Sequence, residues 1–231
     1  MIFTYWSGEA AATAPFRTAW SPIEPRITVY GDDDVAQILR ALDPAYEEIY
    51  RRIRIPACRS DVARIALLYR HGGFYIDTHG GPGDPGAWHD LKLASRSFEI
   101  ILFDEPLNHK REGDVHILTG ALAGQRQSPL LRMLLAGIFG NLERQLRAEA
   151  ASMDHVPYNI FVLSGPWEVR LRLVTVQPPF AVRPELRESV LLHRLDLDLR
   201  RRPFLWYVNY GYRRAGQHWS ERQQTEPLFA P

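Results

Sequence analysis

The sequence predicts an α/β fold. Three observations carry that expectation. Short runs of β-branched and aromatic residues end in turn residues, an acidic turn opens a run of apolar residues at helical spacing, and a longer helix passes through a double glycine into another apolar run. Strand, turn and helix in succession are the units of a parallel sheet.

The elements follow in order. Residues 2–6 read as a short buried strand bounded by Ser7-Gly8. Residues 9–25 hold small residues with Pro15, Pro22 and Pro25, and are expected to be loop with a helical turn at most. Residues 27–30 give a second strand, ended by Gly31-Asp32-Asp33-Asp34, after which Val35, Ile38, Leu39 and Leu42 mark a helix that Asp43-Pro44 stops. Residues 45–56 form another helical stretch that Pro56 is expected to end. Ser60 then serves as an N-cap, Asp61 lies in the first turn, and Val62, Ile65, Ala66 and Tyr69 make a stripe that Gly72-Gly73 terminates. Residues 74–76 are a strand running into Asp77-Thr78-His79, and the glycines and prolines of 80–86 read as loop. Further strands are expected over 99–103 and 203–211, with a helix over 129–150.

A chain of 231 residues is long enough for one α/β domain with a sizeable core, or at most two small ones. The 45% hydrophobic and 24% charged fractions are those of a globular protein. A net charge of +1 creates no field that would draw nucleic acid. The lone Cys58 excludes an intrachain disulfide, no apolar run reaches membrane-spanning length, and the first residues read as a strand rather than a leader peptide.

In an open α/β sheet, ligands collect at the carboxyl ends of strands, and Asp77 ends such a strand. Asp61 and Arg64, three apart on the preceding helix, share one face, where a carboxylate and a guanidinium could hold a ribose and a phosphate. The competing reading is an Asp61–Arg64 ion pair with Asp77 capping the next turn. Gly81, Gly83 and Gly86 satisfy a dinucleotide-type glycine spacing, but the prolines among them, and the lack of an apolar helix behind them, argue against it. The run 200–207, with Arg213-Arg214, mixes cations and aromatics. It reads as a buried strand with a solvated basic start, with contact to anionic lipid as the alternative.

The run from Arg59 to His79, R-S-D-V-A-R-I-A-L-L-Y-R-H-G-G-F-Y-I-D-T-H, resembles the central block of glycosyltransferase family 32, which has a DXD sugar-binding region. That family includes yeast mannosyltransferases and bacterial capsule enzymes, and the block is also similar to that of the clostridial glucosylating toxins. The match covers about 20 residues without a gap. Weaker likenesses lie at residues 2–8, at Ser164-Gly165-Pro166 and at Gln217-His218-Trp219.

The resemblance implies a single GT-A-type domain, 1–231, with a mostly parallel central sheet flanked by helices, in which 1–105 would bind the nucleotide-sugar and 106–231 would form the acceptor side and the closing segment. It also implies transfer of a sugar from a UDP- or GDP-sugar, with retention at the anomeric carbon. By the same resemblance Trp6 would stack on the base, Asp61 would hold ribose or sugar hydroxyls, and Arg64 would face the sugar or diphosphate. Tyr75 would line the nucleoside pocket, Asp77 would contact ribose and metal, and His218 with Trp219 would close over the diphosphate. Asp77 and Arg64 are the expected catalytic residues, and Asp77, His79 and His218 the expected metal ligands. The third motif position is His79 rather than aspartate. Imidazole is acceptable to Mn²⁺ and suits the oxygen-preferring Mg²⁺ less, so Mn²⁺ is the expected cofactor and Mg²⁺ the second choice. The implied acceptor is a polysaccharide or glycolipid, met in the cytoplasm or at the inner face of the membrane. Two rival readings are a non-catalytic sugar-nucleotide or glycan-binding module and a nucleotide-sugar hydrolase.

Overall fold

The computed structural model describes residues 1–109, 114–178, 180–206 and 218–230. In chain order the elements begin β1 (Ile2–Tyr5), α1 (Ala14–Trp20), β2 (Ile27–Tyr30), α2 (Asp32–Leu42), α3 (Pro44–Arg52), α4 (Pro56–His71), β3 (Gly73–Ile76) and β4 (Gly80–Pro82). They continue with α5 (Pro85–Ala94), β5 (Ile100–Asp104), β6 (Ile117–Gly124), α6 (Pro129–Ala150), α7 (Ile160–Leu163) and α8 (Pro166–Leu173). The last are β7 (Val190–Arg194), β8 (Phe204–Trp206) and α9 (Trp219–Arg222).

Six strands form one sheet in the order β2-β1-β3-β6-β5-β7. β1 is parallel to β2 and β3, and β5 to β7, whereas β6 is antiparallel to both its neighbours. Five strands therefore share one direction and β6 alone opposes them: the fold is α/β, as the sequence predicts, and the sheet mostly parallel, as the resemblance implies. Side chains alternate between its faces. Phe3, Tyr75, Leu102 and Leu122 pack with α4 and α6 on one side. Ile2, Phe74, Ile76, Ile101 and Phe103 pack on the other against Phe16 and Trp20 of α1 and Trp88 and Leu91 of α5. The result is three layers, with a core on each face of the sheet.

α4 is the central helix, buried along Val62–Leu68 and so on more than the face marked by the expected stripe, because Ala63, Leu67 and Leu68 are apolar as well. It starts four residues before the expected Ser60 cap, because Pro56 occupies the first turn, where a missing N–H costs nothing. Pro56 opens this helix rather than only ending the one before. At its far end Gly72 has φ 64°, and a Cβ there would meet the Arg126 nitrogen at 2.7 Å, so a side chain is excluded on two grounds.

Two stretches expected as loop hold structure. Residues 9–25 contain a 3₁₀ turn at Ala10–Thr13 and then α1, whose Trp20 lies 5.0 Å from Trp88 between ring centres. Pro15 sits in the first turn of α1, where proline starts a helix instead of breaking it. Residues 80–86 contain β4, paired antiparallel with β8, and then α5, capped by the Asp84 carboxylate on the Ala87 N–H at 2.7 Å. A helix does follow the glycines, but Gly81 is spent in a strand opposite Leu205, which leaves no phosphate-binding turn. The expected late strand is present as β8; residues 207–211 lie outside the described residues, as do Arg213 and Arg214. In the basic run, Arg200 and Arg201 are exposed, and Arg202 is buried in a two-pronged pair with Glu105 at 2.6 and 2.8 Å. Among the described residues no helix is long and apolar enough to cross a membrane.

Candidate active site

The carboxyl ends of β1 and β3, the start of α4 and the middle of β6 border a cleft of about 790 Å³. Trp6, Asp61, Arg64, Asp77, His79 and Trp219, six of the residues expected at the site, all line it.

Its floor is a buried charged network. Arg64 lies 3.3 Å from Asp61 Oδ1 and 3.8 Å from Asp77 Oδ1. The guanidinium also donates to Ser60 Oγ at 3.0 Å and sits 5.4 Å from the Tyr75 ring centre. Tyr75 donates to Asp77 Oδ1 at 2.7 Å, and its hydroxyl meets Ser60 Oγ at 3.2 Å. Ser164 donates to Asp61 Oδ2 at 2.9 Å. The ion-pair reading of Asp61 and Arg64 and the ligand-facing one thus hold together: the pair exists, and it forms part of the cleft wall.

Two carboxylates share one guanidinium, and Asp61 and Arg64 are both buried. Desolvation pushes Asp61 up to about 6, against the pull of Arg64 and the Ser164 hydroxyl. Arg64 is held above its ordinary value because Asp61 and Asp77 together outweigh its desolvation. The floor is therefore rich in negative charge with a fixed cation at its centre.

Tyr75 lies elsewhere than expected. It is fully buried beneath the floor and is not among the cleft-lining residues, because Asp77, Ser60 and Arg64 lie over it. Its place is under Asp77 and Arg64, which it orients. His218 caps α9, with Nδ1 2.6 Å from Ser220 Oγ, and is not among the cleft-lining residues, although its neighbour Trp219 is. Gln217 lies outside the described residues.

Residues 77–80 form a turn closed by the Gly80 N–H on the Asp77 carbonyl at 2.8 Å. The His79 ring lies 4.8 Å from that of Trp206. Among the described residues no three His, Cys, Asp or Glu side chains are arranged around a metal position. Asp77 offers the kind of group by which a phosphate-bridging cation is held, one or two carboxylates plus the substrate, and His79 lines the same cleft. β6 leaves space beside that carboxylate. A Cβ on Gly120 would come within 2.8 Å of Asp77 Oδ2, so the absent side chain makes room for that carboxylate oxygen.

Several site residues carried no signal in the sequence. Gly120 and Thr119 belong to β6, whose small residues Gly120, Ala121, Ala123 and Gly124 hide a strand from propensity reasoning. Ser164 was noted only within a Ser-Gly-Pro likeness, and its bond to Asp61 spans 103 positions.

Residues 24–85 match a family model described as "Glycosyltransferase sugar-binding region containing DXD motif". Over these residues the chain is similar to the sugar-binding region of glycosyltransferases. In this region lie α4, β3 and the Asp77-Thr78-His79 turn, so the match contains the floor of the cleft up to Asp77 and His79. No curated protein sequence matches the chain. Among solved structures it is similar to the ligand-free glycosyltransferase domain from the YGT toxin, at 12% identity and TM-score 0.36, covering 54% of this chain and 37% of that one. It is also similar to the PaToxG glycosyltransferase, at 12% identity and TM-score 0.43, covering 74% of this chain and 67% of that one. The chain thus spans little more than a third of the first of these.

Proposed function

We propose that the chain is a retaining glycosyltransferase that moves a sugar from a UDP- or GDP-sugar to a polysaccharide or glycolipid, as one GT-A-like domain. The observation that carries this reading is Arg64, fixed between Asp61 and Asp77 on the floor of a cleft bordered by strand ends. Trp6, at the β1 end, offers an aromatic face for the base, and Trp219, which also lines the cleft, would close over the diphosphate. Asp61, ionised, accepts hydrogen bonds from sugar hydroxyls, and Arg64 supplies positive charge toward the leaving group. Tyr75 acts as a positioning residue through Asp77.

Among the described residues three carboxylates (Asp61, Asp77, Glu226) and two guanidiniums (Arg64, Arg222) line the cleft, and a diphosphate would add negative charge beside those carboxylates. Mn²⁺ or, less well, Mg²⁺, held by Asp77 and His79 together with the donor phosphates, would offset that charge and stabilise the departing diphosphate as a Lewis acid. In the transfer the acceptor oxygen bonds to the anomeric carbon, the bond to the diphosphate oxygen breaks, and the acceptor proton passes to that phosphate. No protein base is then required. Such acceptors would place the protein at the cytoplasmic face of a membrane.

The test is thermal stabilisation by a panel of UDP- and GDP-sugars with and without Mn²⁺. A true donor raises the melting temperature in a concentration-dependent way, because it binds only the folded chain. A panel with no stabilising member would remove the reading.

A further inference from the structure

One lip of the cleft presents an exposed aromatic ring that the donor reading does not use. α7 is a single turn pinned from several sides. The Asn159 side chain accepts from the Phe161 N–H at 3.0 Å, and Gln223 Oε1, from the end of α9, accepts from the Ile160 N–H at 3.1 Å. Tyr158, just before the turn, donates to the Glu226 carbonyl at 2.9 Å, and Ser164, just after it, is fixed on Asp61. With Ile160 and Ser164 buried, Phe161 faces out, 41% exposed yet lining the cleft.

The neighbouring wall is polar. Arg222 and Glu226 line the cleft as a two-pronged pair, Nε to Oε1 at 2.9 Å and Nη2 to Oε2 at 2.9 Å. That pairing uses two of the five N–H groups of the guanidinium and leaves lone pairs on both carboxylate oxygens.

We propose that this lip is the acceptor subsite, occupied by a pyranose unit of a carbohydrate. Its C–H face lies on the Phe161 ring and its hydroxyls on the Arg222–Glu226 pair. A sugar hydroxyl both donates and accepts, so an arginine beside a carboxylate meets both needs. An apolar surface with a few fixed polar groups is the usual composition of a small-ligand site. Its position follows from continuity with the donor floor, since the Ser164–Asp61 bond joins the two. The inference rests on the donor reading above.

The test is saturation-transfer NMR with maltotriose, cellotriose and mannotriose, in the presence of UDP or GDP and Mg²⁺. At least one trisaccharide is expected to bind the wild type, with affinity reduced roughly tenfold or more in Phe161→Ala and kept in Phe161→Tyr. Nucleotide affinity and melting temperature serve as controls in both variants, since the ring is exposed. Equal trisaccharide binding in Phe161→Ala would overturn the proposal. So would a wild type that binds the nucleotide and none of the three sugars. A wild type that binds no nucleotide would instead remove the donor reading beneath it.

Discussion

Tyr75 donates its phenolic proton to Asp77 Oδ1 at 2.7 Å, from two residues earlier on the same strand. Both side chains point toward α4, where Ser60 and Arg64 complete the contact. The carboxylate that ends β3 is therefore held from below before any ligand arrives.

Tyr75→Phe tests that support. Removing one buried hydroxyl should cost about 1 kcal/mol of stability. Donor turnover should fall by more than that loss explains, because Asp77 is left without its orienting donor. Turnover per folded molecule, measured beside a melting curve, separates the two effects.

Gly120→Ala tests the room at the other oxygen. The added methyl would meet Asp77 Oδ2 at 2.8 Å and Trp206 Cη2 at 3.1 Å. A stability loss of about 1–3 kcal/mol is expected from this overpacking. The Mn²⁺ dependence of any donor turnover should weaken as well. Metal titration of the variant's activity checks it, and an unchanged response would show that Oδ2 is not the ligating atom.

Asp61 gives a pH prediction. Its carboxyl rises from 3.8 to about 6 on burial, so the unfolded chain releases this proton at lower pH than the folded one. The contribution to stability is full below pH 3.8 and is lost as pH rises toward about 6. In Asp61→Asn that slope should vanish, so its melting temperature should change less across the same window than that of the wild type. Its donor turnover should also drop steeply, since an amide replaces the accepting carboxylate. Parallel melting profiles for the two proteins would refute the burial argument.

Much of this arrangement was legible in the sequence, and the reasons are physical. Helical spacing from Val62 to Tyr69, then two glycines, then an apolar triplet fixed α4, β3 and the position of Asp77 at a strand end. Asp32-Asp33-Asp34 marked the start of α2, and the long apolar run marked α6. What stayed hidden depends on distant partners. β6 has glycines and alanines where a strand usually has branched residues, and it forms because β3 and β5 flank it. β4 exists only through β8, more than 120 positions later in the chain. In an extended stretch alternate side chains point to one side, which would bring Asp77 and His79 together. The chain turns there instead, and the two share the cleft through the turn.

Trp6→Ala addresses the base-binding end. Trp6 is partly exposed, and its indole N–H reaches only the Glu9 carbonyl nearby, at 3.1 Å, so the fold should tolerate the change. Nucleoside diphosphate affinity should fall roughly tenfold or more, the scale of a lost stacking contact. Calorimetric titration with UDP and GDP measures it, and equal affinity would return Trp6 to a purely structural role.

The central claim is metal-assisted cleavage of a sugar–diphosphate bond at Asp77, and the most direct measurement is donor turnover in Mn²⁺, Mg²⁺ and chelator for wild type and Asp77→Asn. The expected result is a wild-type rate highest in Mn²⁺, lower in Mg²⁺ and lost in chelator, with Asp77→Asn slower by at least about 100-fold although it keeps the shape of the side chain. Equal wild-type rates in all three conditions, or an Asp77→Asn variant as fast as the wild type, would contradict it.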